Sequence, residues 1–144
     1  MLPNSKSIKN TAQIRIRYAD TDKMGFVYNG NYLAFFEVGR AELMRAHGYP
    51  YIELEQAGYV LPLVEAHVNF KKPAKYDDLI DVVATLKLEN IGATIRFDYL
   101  VLLDGIPVAD GYTIHSFLKE DIMRPVKPPK FFLDKLNSIF ENNQ

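Results

Sequence analysis

The sequence predicts an α+β domain: a single antiparallel sheet of about five strands wrapped round one long helix, with a short helix at the end. Three observations carry that reading. Apolar and polar residues alternate in one stretch near the start and in four more from Val64 onward. Between them lies a segment whose apolar residues recur at helical steps. At 144 residues the chain suits one domain with a real core and is too short for two ordinary ones.

The first strand is expected over Ala12 to Tyr18, with Ile14, Ile16 and Tyr18 on one face and Gln13, Arg15 and Arg17 on the other. Small and polar residues from Ala19 to Gly25 then read as a loop. From about Asn31 the period changes. Tyr32, Phe35, Phe36, Gly39, Leu43, Met44 and His47 define the wide apolar face of a helix. Asn29, Gly30 and Asn31 offer N-cap chemistry, and Gly48 is placed to end the helix. Gly39 costs the helix about 1 kcal/mol against alanine, which points to a close approach to something flat, such as a sheet.

A second helical or turn segment is expected near Ile52 to Ala57. Four strands follow. Val64, Ala66, Val68 and Phe70 alternate with Glu65, His67, Asn69 and Lys71, and Ile80, Val82, Ala84, Leu86 and Leu88 mark the next. Ile95, Phe97, Tyr99, Val101 and Leu103 mark the third, and Val108, Tyr112, Ile114 and Leu118 the fourth. Asp104-Gly105 is a strong hairpin signal between the last two, and Asn90 to Gly92 plays a similar part before the third. Pro125, Pro128 and Pro129 make the tail extended. Phe132, Leu133, Leu136, Ile139 and Phe140 then give a short terminal helix. A helix rich in apolar bulk and strands with one apolar face are both buried when the sheet wraps the helix.

Seventeen basic and eighteen acidic side chains nearly cancel, so no global charge argues for nucleic acid or an anionic membrane as partner. There are no cysteines, which removes disulfides, thiolate metal sites and cysteine nucleophiles together. The polar start lacks the apolar core of a signal peptide, and no run approaches the roughly 20 apolar residues of a membrane span, so a cytoplasmic location is expected. The three histidines, His47, His67 and His115, fall on separate elements without zinc-motif spacing, and no cofactor is expected. No Gly-x-Ser-x-Gly elbow or Gly-rich phosphate loop is present either.

The remaining candidate is the loop containing Asp20-Thr21-Asp22, just before the helix. Free N–H groups and the positive dipole end at a helix N-terminus can polarise a carbonyl and hold an oxyanion. A neighbouring carboxylate can attack that carbonyl or activate a water that does. An Asp-x-Asp in this position is otherwise simply a turn or cap.

The stretch from Tyr18 to Tyr32, Tyr-Ala-Asp-Thr-Asp-Lys-Met-Gly-Phe-Val-Tyr-Asn-Gly-Asn-Tyr, resembles the signature loop of the 4-hydroxybenzoyl-CoA thioesterase family. That hot-dog group includes the Tol–Pal-associated acyl-CoA thioesterases. Phe35-Phe36-Glu37 and Gly39-Arg40 resemble its helix, Leu61 to Glu65 its second strand, and Pro73 to Asp78 its strand-joining turn. The resemblance spans about residues 12 to 128, and implies one hot-dog thioesterase domain over residues 1–144.

It further implies that the protein hydrolyses an acyl-CoA thioester, with Asp22 as the catalytic carboxylate and the backbone N–H of Asn29 polarising the carbonyl. Many relatives carry histidine at that position; the backbone role survives the change, because every non-proline residue has the N–H. The family assembles as dimers, often tetramers, so a homodimer or homotetramer is expected, with the site between subunits. Lys71, Lys72, Lys75, Arg124 and Lys127 are candidates for the CoA phosphates, against the simpler account of solvated surface charges. Asp20 reads as structural. Tyr28 and Tyr32 read as packing; Glu65 and His67 share a strand face that could hold an acid–base pair, but they and His115 read first as a polar solvent or interface face. A non-catalytic acyl-CoA or acyl-carrier binding module is the alternative function. A dehydratase ranks behind it, because the loop lacks that chemistry's histidine.

Overall fold

The computed structural model describes residues 6–48 and 51–142. Period-two apolar patterns become five paired strands: β1 (Ser7–Arg15), β3 (Leu63–Phe70), β4 (Leu79–Ile91), β5 (Thr94–Leu103) and β6 (Ile106–Ser116). They form one antiparallel sheet in the order β1-β4-β5-β6-β3. The fully buried side chains of Ile80, Val82, Ala84 and Leu86 on β4 face inward beside Ile95, Phe97, Tyr99 and Val101 on β5. Short strands β2 (Tyr59–Val60), β7 (Leu118–Lys119) and β8 (Arg124–Pro125) make a small second sheet in the order β2-β7-β8, which the sequence reading did not contain.

Helix α1 (Asn31–Ala46) lies across the inner face of the large sheet and buries Tyr32, Phe35, Phe36, Gly39, Leu43 and Met44. Each large side chain so buried contributes about 1.5–3 kcal/mol. Phe36 stacks on Tyr99 with ring centroids 4.2 Å apart. The close approach expected at Gly39 is real: a Cβ there would lie 2.7 Å from Cγ1 of Val82. Gly48 follows the helix with φ +82°, a left-handed conformation that glycine adopts without strain. Helix α2 (Tyr51–Gln56) follows, and α3 (Lys130–Asn142) closes the described chain with Phe132, Leu136, Ile139 and Phe140 buried. No helix among the described residues is long and apolar enough to cross a membrane.

Four local expectations are corrected. Strand β1 begins and ends earlier than Ala12–Tyr18, and Tyr18 is 79% exposed rather than on the buried face. The cause is Asp20, whose carboxylate draws the backbone N–H of Arg17 into a 3-10 turn over Tyr18–Asp20. On β6 the inward residues are Val108, Ala109, Thr113 and His115, while Tyr112 and Ile114 face away from the helix. A bulge opposite Val101 and Leu102 inserts one residue, and one residue of slip reverses every later side chain. His115 is therefore buried, not on a polar face, and Leu118 belongs to the second sheet. Strand β3 stands at the sheet edge with Val64 at 58% and Phe70 at 49% exposure, while Val68 packs on the core. Finally, of the three cap candidates Gly30 is the N-cap residue, and the side chains of Asn29 and Asn31 do not cap α1.

Candidate active site

Asp20 organises the start of the loop. Its buried carboxylate accepts from the Arg17 guanidinium at 3.0 Å and from the Arg17 backbone N–H at 2.9 Å. The side-chain bond from Arg17 holds the Asp20 carboxyl below its ordinary range against the opposing effect of burial. Its main-chain oxygen accepts the Tyr28 N–H at 2.9 Å and the Asn31 side-chain amide at 2.7 Å. Asn31 thus serves the loop rather than the cap, tying it to the first turn of α1. Asp20 is structural, as its place in the sequence suggested.

The loop between these ties closes as a tight hairpin. Thr21 and Val27 form a bridge, the Asp22 N–H donates to the Phe26 oxygen at 2.8 Å, and Gly25 turns the chain at φ +82°. The Val27 N–H donates to Ala74 at 2.8 Å, and Phe26 bridges Lys75, which fixes the hairpin against the segment after β3. Asp22 is half-buried at the hairpin tip. Its Oδ1 accepts the N–H groups of Met24 at 2.9 Å and Phe26 at 3.3 Å. Its Oδ2 has no partner among the described residues, so the carboxylate is aimed by one oxygen and leaves the other free.

Asp22 and Asn29 line one open cleft of about 280 Å³. The Asn29 backbone N–H, just ahead of α1, meets no acceptor among the described residues. Tyr32 and Phe70 also line it, edge-on to each other with centroids 5.4 Å apart. Lys71 and Lys72 stand at the rim, the Lys71 ammonium 3.5 Å from Asp110. Lys75 is exposed on the adjoining turn, where its backbone N–H donates to Asp78, and is not part of the cleft wall. Arg124 and Lys127 are exposed on and after β8, in the small second sheet, and do not line the cleft of this chain. The structure therefore brings together Asp22, Asn29, Lys71 and Lys72 of the residues singled out by sequence. An acid with a free oxygen beside an unpaired amide can add an oxygen nucleophile to a carbonyl while stabilising the oxyanion.

Two features escaped the sequence reading. Tyr32, a packing residue on the sequence reading, lines the cleft one turn after Asn29; its three-residue spacing from Asn29 is the signal that points there. The second is a polar chain in the core, apart from the cleft lining. Arg40 donates to the Tyr99 hydroxyl at 3.1 Å, Tyr99 and Thr113 hydroxyls are 2.6 Å apart, and His115 bridges Thr113 at 3.0 Å and the Leu61 carbonyl at 3.1 Å. Burial, helped by the Arg40 charge, lowers the His115 pKa to about 4, so its ring is neutral at neutral pH. Only the β6 bulge puts Thr113 and His115 on the inner face, and no pattern of residue types announces a bulge. Glu65 and His67 lie on the exposed edge strand, where Glu65 accepts from the Tyr112 hydroxyl at 2.7 Å.

The sequence profile of the thioesterase-like superfamily matches residues 16–136. An acyl-CoA thioesterase, YbgC, of Haemophilus influenzae is 31% identical over 120 residues, covering 81% of this chain and 86% of that protein. A 1,4-dihydroxy-2-naphthoyl-CoA hydrolase of Prochlorococcus marinus is 28% identical, covering 80% of each. Among solved structures, a DHNA-CoA thioesterase from Staphylococcus aureus superposes with a TM-score of 0.84 at 29% identity, covering 95% of this chain and 91% of that one. With the profile spanning most of its length and the fold shared throughout, this chain belongs to the thioesterase-like superfamily.

Proposed function

We propose that the protein is an acyl-CoA thioesterase, converting a thioester and water to a free acid and CoA thiol. The observation that carries the reading is the pairing, in one cleft, of the free Asp22 oxygen with the unpaired Asn29 N–H. In this reading the thioester carbonyl oxygen accepts from Asn29, and the developing oxyanion is held there. Asp22 either attacks the carbonyl carbon, giving a mixed anhydride that water opens, or takes a proton from the attacking water. Lys71 and Lys72 at the rim suit the phosphates of CoA, as point charges on flexible stems.

The working form is a homodimer or homotetramer, with the acyl group lying between subunits. Support comes from β3, a sheet edge with unpaired backbone groups on one side and Leu63, Val64 and Phe70 uncovered. Such an edge, ending in a residue of the cleft wall, calls for a second copy to cover it.

The test is release of free thiol from a panel of aromatic, short and medium acyl-CoA thioesters, read with a thiol reagent. Turnover of at least one is expected. CoA binding without thiol release from any of them would refute the hydrolase reading and leave a binding module. Oxygen-18 water in a single turnover separates the two routes: label in the Asp22 carboxyl marks the anhydride, and label only in the free acid marks the general base.

A further inference from the structure

Tyr32 combines three properties that packing alone does not require. Only 3% of the residue is exposed, with its ring edge-on to Phe35 at 5.6 Å and to Phe70 at 5.4 Å. It nevertheless lines the cleft that holds Asp22 and Asn29. Its hydroxyl makes no hydrogen bond among the described residues, and it is not one of the walled-off orphan oxygens there, which are Tyr51 Oη and Asp98 Oδ2. A phenol gripped along its ring and open at its tip holds its donor in a fixed place. Phenylalanine would fill the same space and pack on the same rings without a donor at the tip. Burial also pushes the Tyr32 pKa above its ordinary value, so the group stays a donor through neutral pH.

Its place in the cleft assigns the donor a target. Tyr32 packs on Phe70, the residue directly before Lys71 and Lys72, and so stands on the side of the rim where the CoA phosphates are read to lie. Asn29 precedes Tyr32 by one turn, its main-chain oxygen accepting the Tyr32 N–H at 3.3 Å, so Tyr32 links the Asn29 end of the cleft to the Phe70 end. A thioester with its carbonyl oxygen on Asn29 and its CoA arm leaving toward Lys71 and Lys72 carries its sulfur past the Tyr32 hydroxyl. We propose that the Tyr32 hydroxyl is a further catalytic group, donating a hydrogen bond to the thioester sulfur as the carbon–sulfur bond breaks. The inference rests on the thioesterase reading above.

The step balances without proton transfer from Tyr32. The electron pair of the breaking bond goes to sulfur, giving the CoA thiolate, while the carbon keeps its new bond to the oxygen of Asp22 or of water. Tyr32 retains its proton and stabilises the thiolate charge; the thiolate takes a proton from solvent after it leaves. A donor of this kind matters most when the leaving thiolate is a strong base, and least when it is a weak one.

The experiment compares Tyr32→Phe with wild type on two esters of the same acyl group, the CoA thioester and the thiophenyl ester. The expected loss in kcat is about ten- to a hundredfold for the CoA thioester, the usual effect of one hydrogen bond to a developing charge. For the thiophenyl ester a loss within about threefold is expected, since its thiolate leaves readily unaided. An equal loss on both esters, as a packing role or a bond to the carbonyl oxygen would give, overturns the proposal; so does no loss on either. Wild type that releases thiol from neither ester overturns the thioesterase reading itself, and this inference with it. Should the variant misfold, wild type alone decides. Its rate across thioesters of graded thiol acidity is expected to vary only shallowly, and a slope as steep as that of hydrolysis by hydroxide in solution overturns the proposal.

Discussion

Replacing Asp22 by asparagine separates the chemistry of this carboxylate from its structural work. The Asp22 Oδ1 accepts two backbone N–H groups, from Met24 and Phe26, and these shape the hairpin tip. Asparagine keeps an oxygen in that place, so both bonds survive as neutral ones. Hydrogen bonds to charged groups contribute about 1.5–3 kcal/mol and neutral ones about 0.5–1.5 kcal/mol, so weakening both bonds costs about 2–3 kcal/mol. Asp22 is only half-buried, which places the loss toward the lower end of that range. The free oxygen is different: asparagine puts an NH2 donor where Oδ2 stood, and neither nucleophilic attack nor proton abstraction remains. Activity is then expected to fall by at least about a hundredfold, the lower range for loss of a general base. Thiol release gives kcat/KM and a thermal melt reports folding. Asp22→Ala, which removes both acceptors, is expected to lower Tm further than Asp22→Asn does. A folded Asp22→Asn protein that turns over within about threefold of wild type would remove Asp22 from the mechanism.

Three other outcomes are expected. Gly39→Ala gains about 1 kcal/mol of helix propensity but drives a Cβ to 2.7 Å from Val82, overpacking that costs about 1–3 kcal/mol, so a net loss in urea is expected and Val82→Ala should recover it; a more stable Gly39→Ala would refute the close approach. Val64→Asp on the exposed edge strand is expected to lower the mass measured by light scattering to that of a smaller assembly, and an unchanged mass would show that β3 is not the joining edge. The His115 pKa lies at about 4 in the fold against its ordinary 6.5, so between those values the unfolded chain binds the extra proton. Its contribution makes stability fall as the pH drops from about 6.5 to about 4 and level off below. His115→Gln should flatten that part of the profile, whereas loss of the Asp20 ion pair acts only below the ordinary carboxylate range. A profile of urea midpoints with the same slope in both proteins would refute the assignment.

The sheet and the long helix were legible because their signals are local. Ile80 to Leu86 and Ile95 to Val101 alternate without interruption, and the steps from Tyr32 to Met44 fit a single helical face. What failed depends on contacts distant in sequence. Tyr18 continues the alternation of Ile14 and Ile16, but a carboxylate two residues later bends the chain first. Tyr112 and Ile114 look more apolar than Thr113 and His115. The bulge decides which pair faces inward, and it is set by pairing with β5. Of the candidate site, the acid and the amide were readable because they flank one loop. Composition alone does not separate Tyr32 from its neighbours Phe35 and Phe36; only its spacing from Asn29 points to the cleft it lines. The basic candidates divide by topology: Lys71 and Lys72 follow β3 to the rim, while Arg124 and Lys127 lie with the small sheet.

The double tie to the Asp20 main-chain oxygen has a consequence for how this scaffold could be altered. One carbonyl clamps the hairpin and the opening turn of the helix together, so the acid and the amide shift as one piece. The other lining residues, Phe70 with the two lysines, close and follow a peripheral strand and take no bond from that carbonyl; the chain rejoins the hairpin just beyond them, at Ala74 and Lys75. Substitutions at Phe70 and the two lysines can retune which molecules are admitted while the reacting pair keeps its spacing, which makes that part of the lining the place to begin redesigning selectivity.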